Sequence, residues 1–385
     1  MKTVLLTGVT GAVGSSLAPL LKREGYRLVY LARPSGNISA KERVEKSLGS
    51  FWDNGDVVLS GDIVLPCCGV NISDLKSLIG KVDKVVHCAA SIRFEEDDSK
   101  EVSRTNVLGT KNVLDLTNTI QSPEIHYMST AYVAGDAKIF HETDFDIGQR
   151  ARNIYEKTKL EAERLVRNWS EGRFSIYRMG ILVGDSRTGS MSQTGFSGYY
   201  AFYVQYYKLA NKIRNSEEWR KKCCKGEIKF NSLGQLVLPI YIDYFSDSTL
   251  NIVPCDWLAD LFSRLLSMPA CGETYHLTHP RPGLFSEVTN FSLGYLGVVG
   301  WKQGKAGWWS DCKNYFKPIG RIQRIADSKI RIYVPYMQGE ACFTNDNVVN
   351  RLGNKYWNPP ELDNNFFKRM LDFAIKVNFG RGMTK

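Results

Sequence analysis

The sequence predicts an α/β protein built on a parallel, doubly wound sheet. Over the first 185 residues, short apolar runs alternate with amphipathic stretches of helical period. A glycine-rich turn follows the first apolar run directly. The 385 residues are 43% hydrophobic and 23% charged, which is ordinary for a soluble globular chain with a sizeable core.

Taken in order, the strand candidates are residues 3–7, 27–32, 57–60, 84–88, 124–129 and 174–178. Helical patterns lie between them at 13–24, 39–48, 102–117 and 155–169. Strand, helix, strand in repetition places helices on both faces of a parallel sheet. The opening Met1-Lys2-Thr3-Val4-Leu5-Leu6-Thr7-Gly8 reads as the first strand and not as a signal peptide. No run of about 18 apolar residues occurs, so no spanning helix is expected.

Beyond Gly184 the rhythm breaks. Residues 186–250 are rich in Gly, Ser and aromatics, whereas 251–283 look like one more helix and strand returning to the sheet. The last hundred residues carry Trp301, Trp308, Trp309, Phe316, Tyr333 and Tyr336. The expected organisation is a nucleotide domain over 1–185, rejoined by 251–283. A smaller, discontinuous substrate-binding region then comprises 186–250 and 284–385.

Nine cysteines are scattered without C-x-x-C spacing, although Cys67-Cys68 and Cys223-Cys224 are adjacent pairs. Five histidines fall in no ligand spacing, so neither a metal site nor a disulfide framework is expected. A reducing, cytoplasmic setting follows. The net charge of +10 implies affinity for anions. Its densest stretch holds Arg214, Arg220, Lys221, Lys222, Lys225 and Lys229, broken by Glu217 and Glu218. That stretch reads as a solvated helix face, or as a dock for an acidic carrier protein, coenzyme phosphates or a membrane surface. No recognition motif for nucleic acid accompanies it.

The turn Thr7-Gly8-Val9-Thr10-Gly11-Ala12-Val13-Gly14 links the first strand to the first helix. Its glycines permit a tight turn, close approach to a pyrophosphate and close helix–strand packing, the dinucleotide pattern of a Rossmann-type fold. The phosphates would sit where free helix N–H groups point. At the end of the second strand an NAD site usually offers an acidic residue. Here Arg33 stands 19 positions beyond Gly14, and a guanidinium suits a 2′-phosphate. NADPH is therefore the expected cofactor, with Arg43 as a second cation. Asp62 and Ile63 after the third strand suit the adenine. The small Ala89 and Ala90 after the fourth let the chain pass beneath the dinucleotide.

Tyr155 and Lys159 are four residues apart in a helical pattern and so share a face. A phenol has a pKa near 10, and a lysine charge that stabilises its phenolate would let Tyr155 exchange a proton with a substrate oxygen. Thr130, closing the fifth strand, is the hydroxyl expected to hold a carbonyl beside the phenol, with Ser129 as the adjacent alternative. Asn106 either anchors a water in a proton relay or is a polar residue inside a helix.

Together these residues resemble the extended short-chain dehydrogenase/reductase superfamily, through glycines 8, 11 and 14. More closely, the chain resembles the branch of fatty acyl-CoA reductases and carrier-protein thioester reductases. The stretches carrying this are 32–34 with 40–44, Cys88-Ala89-Ala90-Ser91-Ile92-Arg93-Phe94, 105–112, Ser129-Thr130-Ala131-Tyr132-Val133 and 153–163. The segments 180–189, 251–257 and 275–278 extend the resemblance to about residue 283; Met179 stands where the branch usually has proline. The resemblance implies hydride delivery from NADPH to the thioester carbonyl of an acyl chain on coenzyme A or a phosphopantetheine arm. A hemithioacetal would then collapse to aldehyde and thiol, with further reduction to alcohol in some members. Thr130 and Tyr155 would polarise the carbonyl, while Lys159 would tune the phenol and hold the nicotinamide ribose.

Residues 198–213 carry Tyr199, Tyr200, Phe202, Tyr203, Tyr206 and Tyr207. They read as a buried helix, or as the wall of an apolar acyl channel shared with the aromatic C-terminal region. In the second reading the basic residues 214–229 lie at its mouth. Two rivals to thioester reduction are a short-chain reductase of a small ketone, sterol or nucleotide sugar, and a non-catalytic NADPH-binding sensor.

Overall fold

A computed structural model of the chain describes all residues except 54, 96, 98–99, 193–194, 197, 219–220, 222–228, 239, 305–317 and 381–385; the side chains of 318–322 and 329 are also outside the description. The adjacent Cys223-Cys224, most of the basic stretch, and Trp308, Trp309 and Phe316 therefore lie outside the described residues.

Seven strands form one parallel sheet: β1 (Thr3–Thr7), β2 (Arg27–Ala32), β3 (Val57–Ser60), β4 (Lys84–His87), β5 (Glu124–Thr130), β6 (Arg173–Met179) and β7 (Thr274–Leu277). Their order is β7-β6-β5-β4-β1-β2-β3. The chain thus winds outward in one direction from β1 to β3 and in the other from β4 to β7. Between β1 and β4 the carboxyl ends open a crevice, which is where such sheets bind ligands.

The intervening helices are α1 (Ala12–Arg23), α2 (Ala40–Leu48), α3 (Ile72–Leu78), α4 (Gly109–Thr119) and α5 (Ile154–Arg167). Strand side chains alternate between the two faces. Val4 and Leu6 join one core with Val13, Leu17 and Trp257, whereas Leu5 joins the other with Val113, Ala162 and Val166. The start of α2 is set by Ser39 and Glu42. Each side chain satisfies the other's free backbone N–H, a reciprocal cap.

The helix expected over 102–117 is not uniform. Residues Arg104–Leu108 form a π-helical turn ahead of α4, which rotates Asn106 inward. The helix and strand expected in 251–283 are α6 (Cys255–Leu266) and β7. A third core lies over the sheet's carboxyl end. It gathers the long aromatic helix Tyr199–Asn215, Phe285–Tyr295, part of Pro318–Ile330, and Asn364–Lys376. The short helix Asp346–Leu352, from the stretch expected in the substrate region, packs against β7 and puts Val348 and Leu352 into the nucleotide-side core.

Candidate active site

A cavity of about 900 Å³ opens at the β1–β4 crevice and runs from the glycine turn to the aromatic helix. At its nucleotide end, Gly8 has φ +78°, and a Cβ there would stand 2.6 Å from the Ala89 nitrogen. Only glycine fits both conditions. A Cβ on Gly14 would meet the Gly8 carbonyl at 2.4 Å, so α1 packs directly on the turn. No side chain caps α1 and its first turn has no acid, while Ala12, Val13 and Gly14 line the cavity. Uncapped N–H groups at the positive end of a helix suit a pyrophosphate.

Arg33 and Arg43 both reach this end of the cavity, with Thr10, Asp62, Ile63, Ala89 and Ala90. Arg43 donates to the Arg33 carbonyl at 2.5 Å and lies 3.5 Å from the Thr10 hydroxyl. Arg33 is largely exposed and stands 3.6 Å from Asp62. Burial first, then the Arg33 charge, lower the pKa of Arg43. Two cations held side by side favour an anion between them. Thr7 behaves differently: its hydroxyl is buried, 2.7 Å from His87 Nδ1, and accepts from the Ala89 N–H. It braces the turn from below and is not part of the cavity wall.

The chemistry-bearing side chains meet where β5 ends over α5. Asn153 caps α5 by accepting from the Glu156 N–H, and one turn then separates Tyr155 from Lys159. Thr130, Tyr155 and Lys159 all line the cavity. Burial pushes the Tyr155 phenol up to about 12, against a lowering contribution from the Thr130 hydroxyl. Burial likewise pushes Lys159 down to about 7, with Glu163 and Cys88 resisting.

Lys159 makes no hydrogen bond to Tyr155: its Nζ donates to Tyr127 Oη and to the Met128 carbonyl, both at 2.7 Å. Ser129 is no alternative to Thr130 as a donor, because its hydroxyl proton goes to buried Glu163 at 2.5 Å; Glu163 in turn pairs with Arg178. The Asn106 amide donates to the Ser91 carbonyl and to Thr158, and its side-chain oxygen accepts from the Ser91 N–H. Both amide protons are thereby used, and the residue ties the β4 exit loop to α5.

On the far side, Tyr199, Phe202 and Tyr203 from the aromatic helix face the cavity with Phe285, Tyr333 and Met337. Most of that helix is buried, and Tyr199 and Tyr203 place their hydroxyls on Ser292 and Thr289. The burial expected of the helix is met, and Tyr199, Phe202 and Tyr203 are the part of it that also lines the cavity. Arg214 is not at the mouth: it donates to the Gly297 carbonyl at 2.6 Å. Lys221 is exposed beside Glu217.

Sequence reasoning gave no role to Phe94, Tyr127 or Tyr132, and placed Tyr336 only within the aromatic C-terminal region. Phe94 stacks on Tyr336 at 5.3 Å and lies 6.2 Å from Tyr155. Arg152 holds Tyr336 from behind, 4.3 Å from its ring, and Tyr132 donates to Glu340. Among the described residues no cluster has the make-up of a metal site, and no helix is long and apolar enough to cross a membrane.

The sheet order, the glycine turn at the switch point and the Thr130, Tyr155 and Lys159 group define an extended short-chain dehydrogenase/reductase, an oxidoreductase fold that binds a nicotinamide dinucleotide. The chain belongs to the Male sterility protein family, an NAD-binding family whose model matches residues 6–262. It is 27% identical over 206 residues to a linear gramicidin synthase of Brevibacillus parabrevis, covering 49% of this chain and 4% of that protein. It is 30% identical over 156 residues to human fatty acyl-CoA reductase 1, covering 37% of this chain and 30% of that one. The chain therefore spans less than a third of either relative. Among solved structures, the terminal R domain from the myxalamid PKS-NRPS biosynthetic pathway is similar in fold. Its TM-score is 0.72 at 22% identity, over 98% of this chain and 92% of that one.

Proposed function

We propose that the protein uses NADPH to reduce an acyl thioester, carried by coenzyme A or a phosphopantetheinyl carrier protein, to an aldehyde or alcohol. The observation that carries this is one continuous cavity. It joins a cationic nucleotide end, a protonated phenol beside a hydroxyl, and an apolar aromatic compartment. The relatives of the chain support it, since they include a fatty acyl-CoA reductase.

The bound cofactor supplies hydride. Arg33 and Arg43 hold its 2′-phosphate, the turn from Gly8 to Gly14 its pyrophosphate, and Asp62 and Ile63 its adenine end. Thr130 orients the thioester carbonyl. Tyr155, which burial keeps protonated at neutral pH, donates a proton to the carbonyl oxygen as it becomes an alkoxide. Lys159 supplies positive charge beside that oxygen and meets the nicotinamide ribose. The hemithioacetal expels thiol. One thioester, one NADPH and one proton thus give aldehyde, thiol and NADP⁺. A second round on the aldehyde gives the alcohol.

A nucleotide sugar is less well suited, because Ile181, Leu182, Phe202, Phe285 and Met337 offer it few partners. A pure sensor needs no protonated phenol. The scattered cysteines support a reducing, cytoplasmic setting. The test is to mix the protein with NADPH and acyl thioesters while following reduced-nicotinamide absorbance and released thiol. Equal loss of NADPH and gain of thiol is expected for aldehyde formation, and two NADPH per thiol for alcohol. Cofactor oxidation with ketones but not thioesters would reverse the assignment.

A further inference from the structure

The Lys159 ammonium has three N–H donors, and the protein takes two of them through Tyr127 and the Met128 carbonyl. Nζ also lies 4.2 Å from the centroid of the Tyr127 ring. Tyr127 is buried and outside the cavity wall, and thioester reduction as derived above gives it no role.

The direction of its hydrogen bond follows from the donor. An ammonium has only N–H groups to offer, so the Tyr127 oxygen accepts from Lys159, as the Met128 carbonyl does. Behind Tyr127 lies His87, its ring centroid 5.6 Å from the phenol ring and its imidazole kept neutral, burial pushing it down to about 3.

We propose that Tyr127 is a positioning residue for Lys159. With the Met128 carbonyl it engages two of the three N–H donors, keeps the amine charged, and leaves a single N–H for the cavity.

Tyr127→Phe keeps the ring and removes the acceptor. The readout is the titration of Lys159 in the unliganded protein, by NMR of ¹³C-labelled lysine side chains, with the signal assigned from Lys159→Arg. Losing a hydrogen bond to a charged group should lower the Lys159 pKa by about one to two units. Tyr127→Met, which removes the phenol oxygen and the ring together, should shift it in the same direction. A packing role alone would lower Tm and leave the titration in place. Should Tyr127→Phe fail to fold, Tyr127→Met decides. Lys159 titrations that coincide in the unmodified protein and the folded variants overturn the proposal. Only the importance of this charge to turnover rests on the thioester reading. The titration needs no acyl substrate, so a protein that leaves thioesters intact would sink that reading and not this one.

Discussion

Glu163 on α5 and Arg178 on β6 face each other at 2.8 Å with both side chains fully buried. Arg178 also donates to the Asp144 carbonyl, and Ser129 donates to Glu163. The helix carrying Tyr155 and Lys159 is thereby fastened to the two strands beneath it. Breaking a buried pair leaves an uncompensated charge, so Glu163→Ala should cost about 3–5 kcal/mol of stability. Denaturant unfolding checks this. The double variant Glu163→Leu with Arg178→Met should be milder than Glu163→Ala, because the fully buried Arg178 charge goes with its partner and only the partly exposed Arg167 loses a contact.

The cationic end of the cavity predicts cofactor choice. Replacing Arg33 by Asp removes a phosphate partner and sets a new carboxylate near Asp62. A hydrogen bond to a charged group is worth ~1.5–3 kcal/mol, so NADPH should bind about 10- to 100-fold more weakly. NADH should bind as before or better. Titration of cofactor fluorescence measures both; equal affinity of the unmodified protein for the two cofactors would remove NADPH from the proposal.

Much of this end was readable because its determinants are local. A turn that needs glycine, a strand with period-two apolar residues and a capping box declare themselves within a few positions. The strands expected at 27–32 and 57–60 are β2 and β3. Asn106 is the polar residue inside a helix that its sequence allowed, but its partners 15 and 52 residues away depend on a π-helical turn that no local signal marks. Tyr127 was findable: it lies two positions before Ser129, so strand alternation puts both on the face covered by α5. Tyr333 and Tyr336 were expected only as part of an aromatic C-terminal region. Their place on the cavity depends on residues 333–340 folding back onto the start of α5, through Asn153 to Tyr336 and Arg152 to the Gly339 carbonyl.

The chemistry at α5 predicts a loss of turnover that is separable from cofactor binding. Tyr155→Phe removes the proton donor and keeps the ring that packs near Phe94, so cofactor binding should persist while kcat falls ~10²–10⁴-fold. Normal turnover by this variant would make Tyr155 structural.

The pH profile follows from the two buried groups. Tyr155, raised to about 12, stays protonated through the neutral range and contributes no limb there. Lys159, lowered to about 7, is charged below that value and neutral above it. In the free enzyme, kcat/KM for the cofactor should therefore fall as pH rises through about 7. Binding an anionic cofactor favours the charged lysine, so the limb in kcat should lie at higher pH. A kcat/KM that stays flat from pH 6 to 9 would contradict this assignment.

The acyl compartment carries the last prediction. From Tyr155 the cavity wall passes to Phe94 and Tyr336, then Tyr333, then Phe202 and Phe285, with neighbouring ring centroids 5.3–6.2 Å apart. Arg93 and Glu95 line the cavity beside Phe94, but among the described residues the deep end around Phe202 and Phe285 is lined by no acidic or basic side chain, so each methylene that reaches it gains by burial and meets no charge to be desolvated. Burial is worth at most ~0.8 kcal/mol per methylene, about fourfold in the specificity constant. A series of acyl thioesters should therefore show kcat/KM rising with chain length until the compartment is filled. Phe202→Ala removes one of the rings at the deep end of that row. It should move the plateau to longer chains while leaving short ones little changed. If short and long acyl groups are reduced with the same specificity constant, the compartment does not hold the chain, and a small carbonyl substrate becomes the better reading.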